Sequence, residues 1–446
     1  MLRHALDGLT VVDFTQIGAG PTCTMLLGDM GARVIKIEAP AGELGRGLGP
    51  GWIAADSALF HGFNRSKLGV SLDLKSPDGV AGARSLIAGA DIVVESMRPG
   101  VMSRLGLGYD TLAADHPALI YCSISAYGQQ GPYAQRAGVD GIVQADSGLM
   151  SLIGLPGGEP CKVQAPIVDV MTGYVACMGV LAKLAQRARD GQGGQLDVNL
   201  LNSALALQQS SITSHLADGE LPVRSGSAAP YSAPNQAFET ADGWVMVAAY
   251  TPERWERLCR LLALPELVSD PRFATSPLRV AHRDAMVCAL TAAFRTRSTA
   301  EWLPALHDAD ILCSRVATYE DVMRHPQVTA NRMIGEVPHA TLGSIRMPGF
   351  PIDSAEANAT PFRAAPSCGQ DTRAVLRSAG YSDADIAALR DSRAIRVAGE
   401  PVLMACHDGD ERGPEIVCGH GPTPPAECHP GLRSRGAAHE HHARRR

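Results

Sequence analysis

Apolar runs and polar breaks alternate through the first 125 residues in a way that predicts strands separated by helices. TVVDFT (10–15) is rich in β-branched residues. GAGP follows, then a helical stretch to about Met30, then RVIKIE (33–38). GVSLDL (69–74), DIVVES (91–96) and ALIYCSIS (118–125) supply further strands. Strands spaced by helical segments predict βαβ units, a parallel sheet and an α/β class. Right-handed crossovers make such a sheet doubly wound.

The pattern changes along the chain. Residues 98–112 and 125–141 are Gly-rich connections, and such loops at the carboxyl ends of parallel strands are where ligands bind. Val170, Tyr174, Cys177, Leu181 and Leu184 recur at helical spacing, which predicts a helix from about Val170 to Arg187. Gly, Ser and Pro accumulate at 218–235, a linker signature. AFETADGWVMVAAY (237–250) then reads as two strands around an Asp-Gly turn, and PERWERLCRLLAL (252–264) as a helix. The expected organisation is a large domain over 1–217, a linker and small α+β domain over 218–335, and a return to the large domain over 336–396. In that return GSIRMPGFPI (343–352) has strand character, and Ser382 caps a helix in YSDADIAALRD. From 397 to 446 apolar periodicity stops, which predicts disorder.

Composition narrows the function classes. Of 446 residues, 45% are apolar and 19% charged, which is ordinary globular usage. A net charge of -6 argues against a broad nucleic-acid surface. No run reads as a bilayer span, and MLRHALDGLT lacks a secretory apolar core, so a cytoplasmic protein without membrane association is expected. Eight of the eleven cysteines are scattered between Cys23 and Cys368, as expected of reduced, buried thiols. The other three, Cys406, Cys418 and Cys428, alternate with tail histidines in no standard zinc spacing, so no metal is expected.

Several side chains are candidates for chemistry, each beside a plainer role. Gly18 and Gly20 fill two positions of a dinucleotide fingerprint, and Glu38 ends the second strand where an acid would hold a ribose. Cys23 at the third glycine position opposes that reading. Arg65, Lys67 and Lys75 flank Val70, Leu72 and Leu74, with Asp73 among them. They are either a solvated basic edge or phosphate contacts, joined by Arg98 and Arg104 on the next Gly-rich loop. Asp169 in QAPIVDVMTG is either the N-cap of the following helix or a reactive carboxylate. Asp140, in AGVDG, is a turn-former or a second acid. Arg46, in ELGRGLGP, is a solvated loop residue or the partner of a carboxylate.

The ordered set of LDGLTVVDFTQIGAGPTCTMLLGDMGARVIKIEAP, NRSKLGVSLDLK, VVESMRPGVMSRLGLGYDTL, HPALIYCSISAYGQQGPY and PIVDVMTG resembles the class III CoA-transferases over about residues 5–395. The resemblance implies a Rossmann-like large domain, a small domain and an interlocked homodimer. It implies that Asp169 is the nucleophile and Asp140 a possible second active-site acid. CoA would lie along Ile17, Gly18 and Ala19, along Leu72, Asp73, Leu74 and Lys75, along Ser96, Met97 and Arg98, and at Arg104. Where some members carry an arginine near the adenine this chain has Ala39, a loss that Arg65 or Lys67 would make good. The substrates implied are an acyl-CoA and a free carboxylic acid, with a short acid or dicarboxylate as the guess for the acceptor and no cofactor beyond CoA. Related α-methylacyl-CoA racemases typically hold a histidine where Val139 stands, and valine cannot move a proton. A racemase and a non-catalytic acyl-CoA binder are the alternatives.

Overall fold

Consecutive residues of the central strands are buried on opposite sides, which is why their sequences read as unbroken apolar runs. In the computed structural model, which describes residues 2–352 and 362–399, six of them form one parallel sheet. They are β1 (Thr10–Phe14), β2 (Arg33–Glu38), β3 (Lys67–Ser71), β4 (Ile92–Glu95), β5 (Ile120–Ser125) and β6 (Gly194–Asn199). Their spatial order is β3-β2-β1-β4-β5-β6. The chain therefore winds outward from β1 in one direction, then crosses back to β4 and winds outward in the other. The fold is a mixed α/β architecture on a parallel sheet.

Four helices on the large sheet matter for the site: α1 (Ala19–Asp29), α2 (Pro77–Ala88), α3 (Asp140–Asp146) and α4 (Ile167–Asp190). On one face Val11, Val34, Ile92, Val94 and Ile120 pack with Leu26 and Leu27 of α1 and Ala176, Cys177 and Val180 of α4. On the other, Val12, Ile35, Val70, Val93 and Tyr121 meet Leu86 and Ile87 of α2. Two C-terminal helices, α5 (Thr372–Ser378) and α6 (Asp383–Asp391), complete that second face through Val375, Leu376 and Ile386. Val397 still packs there, so ordered contacts continue past the point where periodicity fades. The tail cysteines and histidines lie outside the described residues.

A third core gathers Phe238, Val245, Val247, Trp255, Leu258, Phe294 and Trp302. It lies against an antiparallel sheet of β7 (Asn235–Glu239), β8 (Trp244–Ala248) and β9 (Leu312–Arg315), ordered β9-β8-β7. Two further strands, β10 (Ile334–His339) and β11 (Gly343–Pro348), pair with each other.

Three local expectations change. The strand expected through Leu74 ends at Ser71, because Leu72 turns into the second core and the Asp73 N–H bonds to Ala394 O at 2.8 Å. Cys161 and Cys288 are exposed, not buried. Helix α4 spans 24 residues and is the one described helix long and apolar enough to cross a membrane, a length the sequence pattern underestimated. Its buried side chains cover the sheet.

Candidate active site

The loop after β1 begins the site. Asp13 accepts from the Thr15 hydroxyl at 2.6 Å and the Thr15 N–H at 2.8 Å, so the strand end is tied to its own turn. Lys36 donates to Thr15 O at 2.9 Å. The Gln16 N–H reaches across to the Ser96 hydroxyl at 3.1 Å, joining this loop to the one after β4. Between these ties Ile17 is held at φ 69°, a left-handed conformation that costs a β-branched residue on the order of 1–3 kcal/mol. Such strain persists where the surroundings fix it, and functional sites are where it collects.

On the β4 side, Glu95 accepts the Met97 N–H at 2.7 Å and so shapes the turn carrying Ser96, Met97 and Arg98. Burial pushes the Glu95 carboxyl up to about 7, against the Ser123 and Met97 hydrogen bonds. The two loops face each other because the sheet order reverses between β1 and β4, and the crevice at such a point is where open α/β sheets bind ligands.

Asp169 enters this crevice from α4. The helix begins at Ile167 with Pro166 as its N-cap residue, so Asp169 is in the first turn and the N-cap expectation for it is wrong. The capping acid comes from elsewhere in the chain. Asp140 accepts the Val168 N–H at 2.8 Å and the Asp169 N–H at 3.1 Å through Oδ2, while its Oδ1 takes Gln144 Nε2 at 2.6 Å. Freed from capping, the Asp169 side chain turns toward Gly18, at the N-terminus of α1. A Cβ on Gly18 would overlap Oδ2 of Asp169. Helices α1 and α4 approach this closely because Gly173 faces Thr22 and Ala19: a Cβ there would stand 2.5 Å from Thr22 Cβ and 2.7 Å from Ala19 O.

The Asp169 carboxylate is 8% exposed and has no hydrogen-bond partner among the described residues. Burial, and then the Asp140 carboxylate, push it up to about 7. The cleft it faces has a volume of about 320 Å³ and is lined by Gln16, Ile17, Gly18, Ala19, Ser96, Met97, Arg98 and Val139, among others. A buried, unpaired carboxylate whose charged form is destabilised is a competent nucleophile.

Other expected contacts lie elsewhere. Leu72, Asp73, Leu74 and Lys75 follow the carboxyl end of β3, and Arg104 follows β4; none lines the cleft, and Leu72 is core. Asp73 accepts the Lys75 backbone N–H at 3.0 Å, and Lys75 is exposed. Arg65 and Lys67 do not reach out for phosphate. Arg65 pairs with Asp29 at 2.6 Å, and Lys67, fully buried, pairs with Asp13 at 3.0 Å. Neither can replace an arginine at Ala39. Glu38 and Arg46 pair with each other at 2.7 Å, so Glu38 does not await a ribose and Arg46 is not a free substrate contact. Gln16, Glu95 and Gln144 were missed. Glu95 left a trace in the sequence as an acid closing an apolar strand; Gln144 stands one helical turn from Asp140.

A crevice at the sheet's switch point, with a buried unpaired acid beside Gly-rich loops, defines a ligand-binding α/β enzyme. Residues 6–372 match the model of CoA-transferase family III, and the chain belongs to that family. It is 37% identical over 373 residues to a mouse (Mus musculus) succinyl-CoA:glutarate CoA-transferase, covering 83% of this chain and 86% of that one. It is 36% identical to an acetyl-CoA:oxalate CoA-transferase of Acetobacter aceti, over 78% of this chain and 89% of the relative. A CAIB/BAIF family crystal structure from Brucella suis superposes with a TM-score of 0.76 at 33% identity, covering 84% of this chain and 98% of that one. The protein is a CoA-transferase.

Proposed function

We propose that the enzyme moves CoA from an acyl-CoA to a free carboxylic acid, with Asp169 as covalent carrier. The observation that supports this most is the Asp169 carboxylate, buried and unpartnered at the cleft where the β1 and β4 loops meet. An oxygen of Asp169 attacks the donor thioester carbonyl; the C–S bond breaks, leaving a mixed anhydride and CoA thiolate. The thiolate attacks the aspartyl carbonyl and expels the donor acid, giving an aspartyl-CoA thioester. The acceptor carboxylate displaces the thiolate to form a second anhydride. The thiolate then attacks the acceptor's acyl carbon, releasing the new CoA ester and restoring Asp169. Each step exchanges one activated acyl bond for another, so no redox or metal chemistry enters, and exclusion of water protects the intermediates.

CoA would enter along Ile17 to Ala19 and Ser96 to Arg98, with Leu72 to Lys75 and Arg104 farther out on the same edge of the sheet. Lys75 and Arg104, exposed and without side-chain partners among the described residues, suit phosphate contacts. The strand order supports a Rossmann-like large domain over 1–217 and 336–396, and the third core supports a small domain within 218–335. Leu216, Leu221, Val223, Tyr231 and Tyr319, each more than three-quarters exposed, support a homodimer that covers them.

Trapping tests the mechanism. Acyl-CoA alone, without acceptor, should leave an adduct on Asp169 that hydroxylamine converts to a hydroxamate mapping to 164–173. An enzyme that turns over without such an adduct would overturn it.

A further inference from the structure

Lys162 lies on the segment that leads into α4, and its backbone is held in place. The next residue, Val163, is clamped by Gln144, whose Oε1 accepts the Val163 N–H at 2.8 Å and whose Nε2 donates to Val163 O at 3.1 Å. Gln144 is in turn fixed by Asp140 at 2.6 Å. The Lys162 side chain consequently lies over Gly141: a Cβ there would be 3.7 Å from its Cδ and 3.8 Å from its Nζ. Val139 and Gly138, two and three residues before Gly141, line the cleft that holds Asp169. Lys162 is exposed and makes no hydrogen bond or ion pair among the described residues.

The site already contains two carboxylates, Asp140 and Asp169, and the acceptor brings another. A second carboxylate on the acceptor would meet only repulsion unless a cation stood at the rim. Arg98 is the unpartnered cation among the described residues that line the cleft, and it belongs to the loop assigned to CoA; Lys162 stands beside that lining, over Gly141. We propose that Lys162 receives the distal carboxylate of a dicarboxylic acid, so that dicarboxylates are the acceptor class. This rests on the covalent CoA-transferase reading above.

The test compares acids of equal length, glutarate with valerate and succinate with butyrate, at a fixed acyl-CoA concentration. The parent should show the lower KM for each dicarboxylate. Lys162→Ala should raise the ratio of the dicarboxylate KM to the monocarboxylate KM about tenfold, the loss of one charge-assisted contact. Lys162→Arg should restore the ratio. The rate of adduct formation on Asp169 from acyl-CoA alone, a step without acceptor, controls for intact folding. A parent that favours monocarboxylates, or a variant that weakens both acids equally, overturns the role of Lys162. A parent that forms no Asp169 adduct sinks the underlying mechanism instead, and the two failures read out separately.

Discussion

The Asp140 carboxylate accepts the backbone N–H of Asp169 at 3.1 Å, so one acid caps the helix from which the other projects. That contact fixes Asp169 in place and sets a negative neighbour beside it. Burial comes first in raising Asp169 to about 7, and Asp140 adds to it. A carboxylate nucleophile acts when deprotonated, so adduct formation should rise with pH through about 7. Asp140→Asn keeps an oxygen for the two N–H groups and removes the charge. The acid limb of the rate profile should then move to lower pH, with a modest loss of stability because an amide NH₂ now faces Gln144 Nε2. Rapid-quench rates of adduct formation across pH 5–9 check this; an unmoved limb would mean that the charge of Asp140 does not act on Asp169.

Gly18→Ala should separate geometry from affinity. The new methyl overlaps Oδ2 of Asp169 and stands 2.9 Å from its Cγ. The cheapest relief is rotation of the carboxylate away from the cleft. Displacement of a reacting group by about 1 Å costs on the order of a hundredfold in rate. Adduct formation should fall by that order, while overpacking costs about 1–3 kcal/mol in a urea melt.

Beneath the β1 loop, Lys67 donates to Asp13 at 3.0 Å, Pro21 O at 3.1 Å and Asn64 at 2.9 Å. Burial opposes the charge on Asp13, but Lys67, Lys36 and the hydroxyls of Thr15 and Thr24 outweigh it and hold its carboxyl below the usual range. Lys67→Met strands that carboxylate and should cost about 3–5 kcal/mol. Adding Asp13→Leu removes the stranded charge and should recover much of the loss. Equilibrium denaturation of the single and double variants measures both.

The strands were legible in the sequence because a parallel sheet covered on both faces leaves little room for polar positions. Val11 and Val12 go to opposite cores and both must be apolar. The cleft followed from the same pattern, since a doubly wound sheet brings the loops after its first and fourth strands together. Partners distant in sequence were not legible. Lys67 and Asp13 are 54 residues apart, Arg65 and Asp29 are 36 apart, and nothing local distinguishes those cations from solvated ones. The start of α4 was misplaced for a related reason: its capping carboxylate sits 28 residues upstream, at Asp140. Asp169 was conspicuous as a lone acid, but whether it capped or reacted depended on Asp140, which no spacing rule connects to it.

The stability of the resting enzyme should also report on Asp169. Its carboxyl is near 3.8 in the unfolded chain and raised to about 7 in the folded one. Between those values the folded state binds the extra proton, so stability from this group is lost as pH rises from about 4 to about 7 and stays lost above. Asp169→Asn removes the titration and leaves a neutral group of the same size. The variant should therefore equal the parent near pH 4 and exceed it at pH 8, by up to the order of 2–4 kcal/mol. It should also form no adduct, because a side-chain amide is a very poor nucleophile. Melting curves of both proteins at the two pH values, run beside the trapping assay, give the answer. A variant that is dead and no more stable at pH 8 would place Asp169 in a site that already accommodates its charge, and one that keeps near-parental transfer would remove Asp169 from the chemistry altogether.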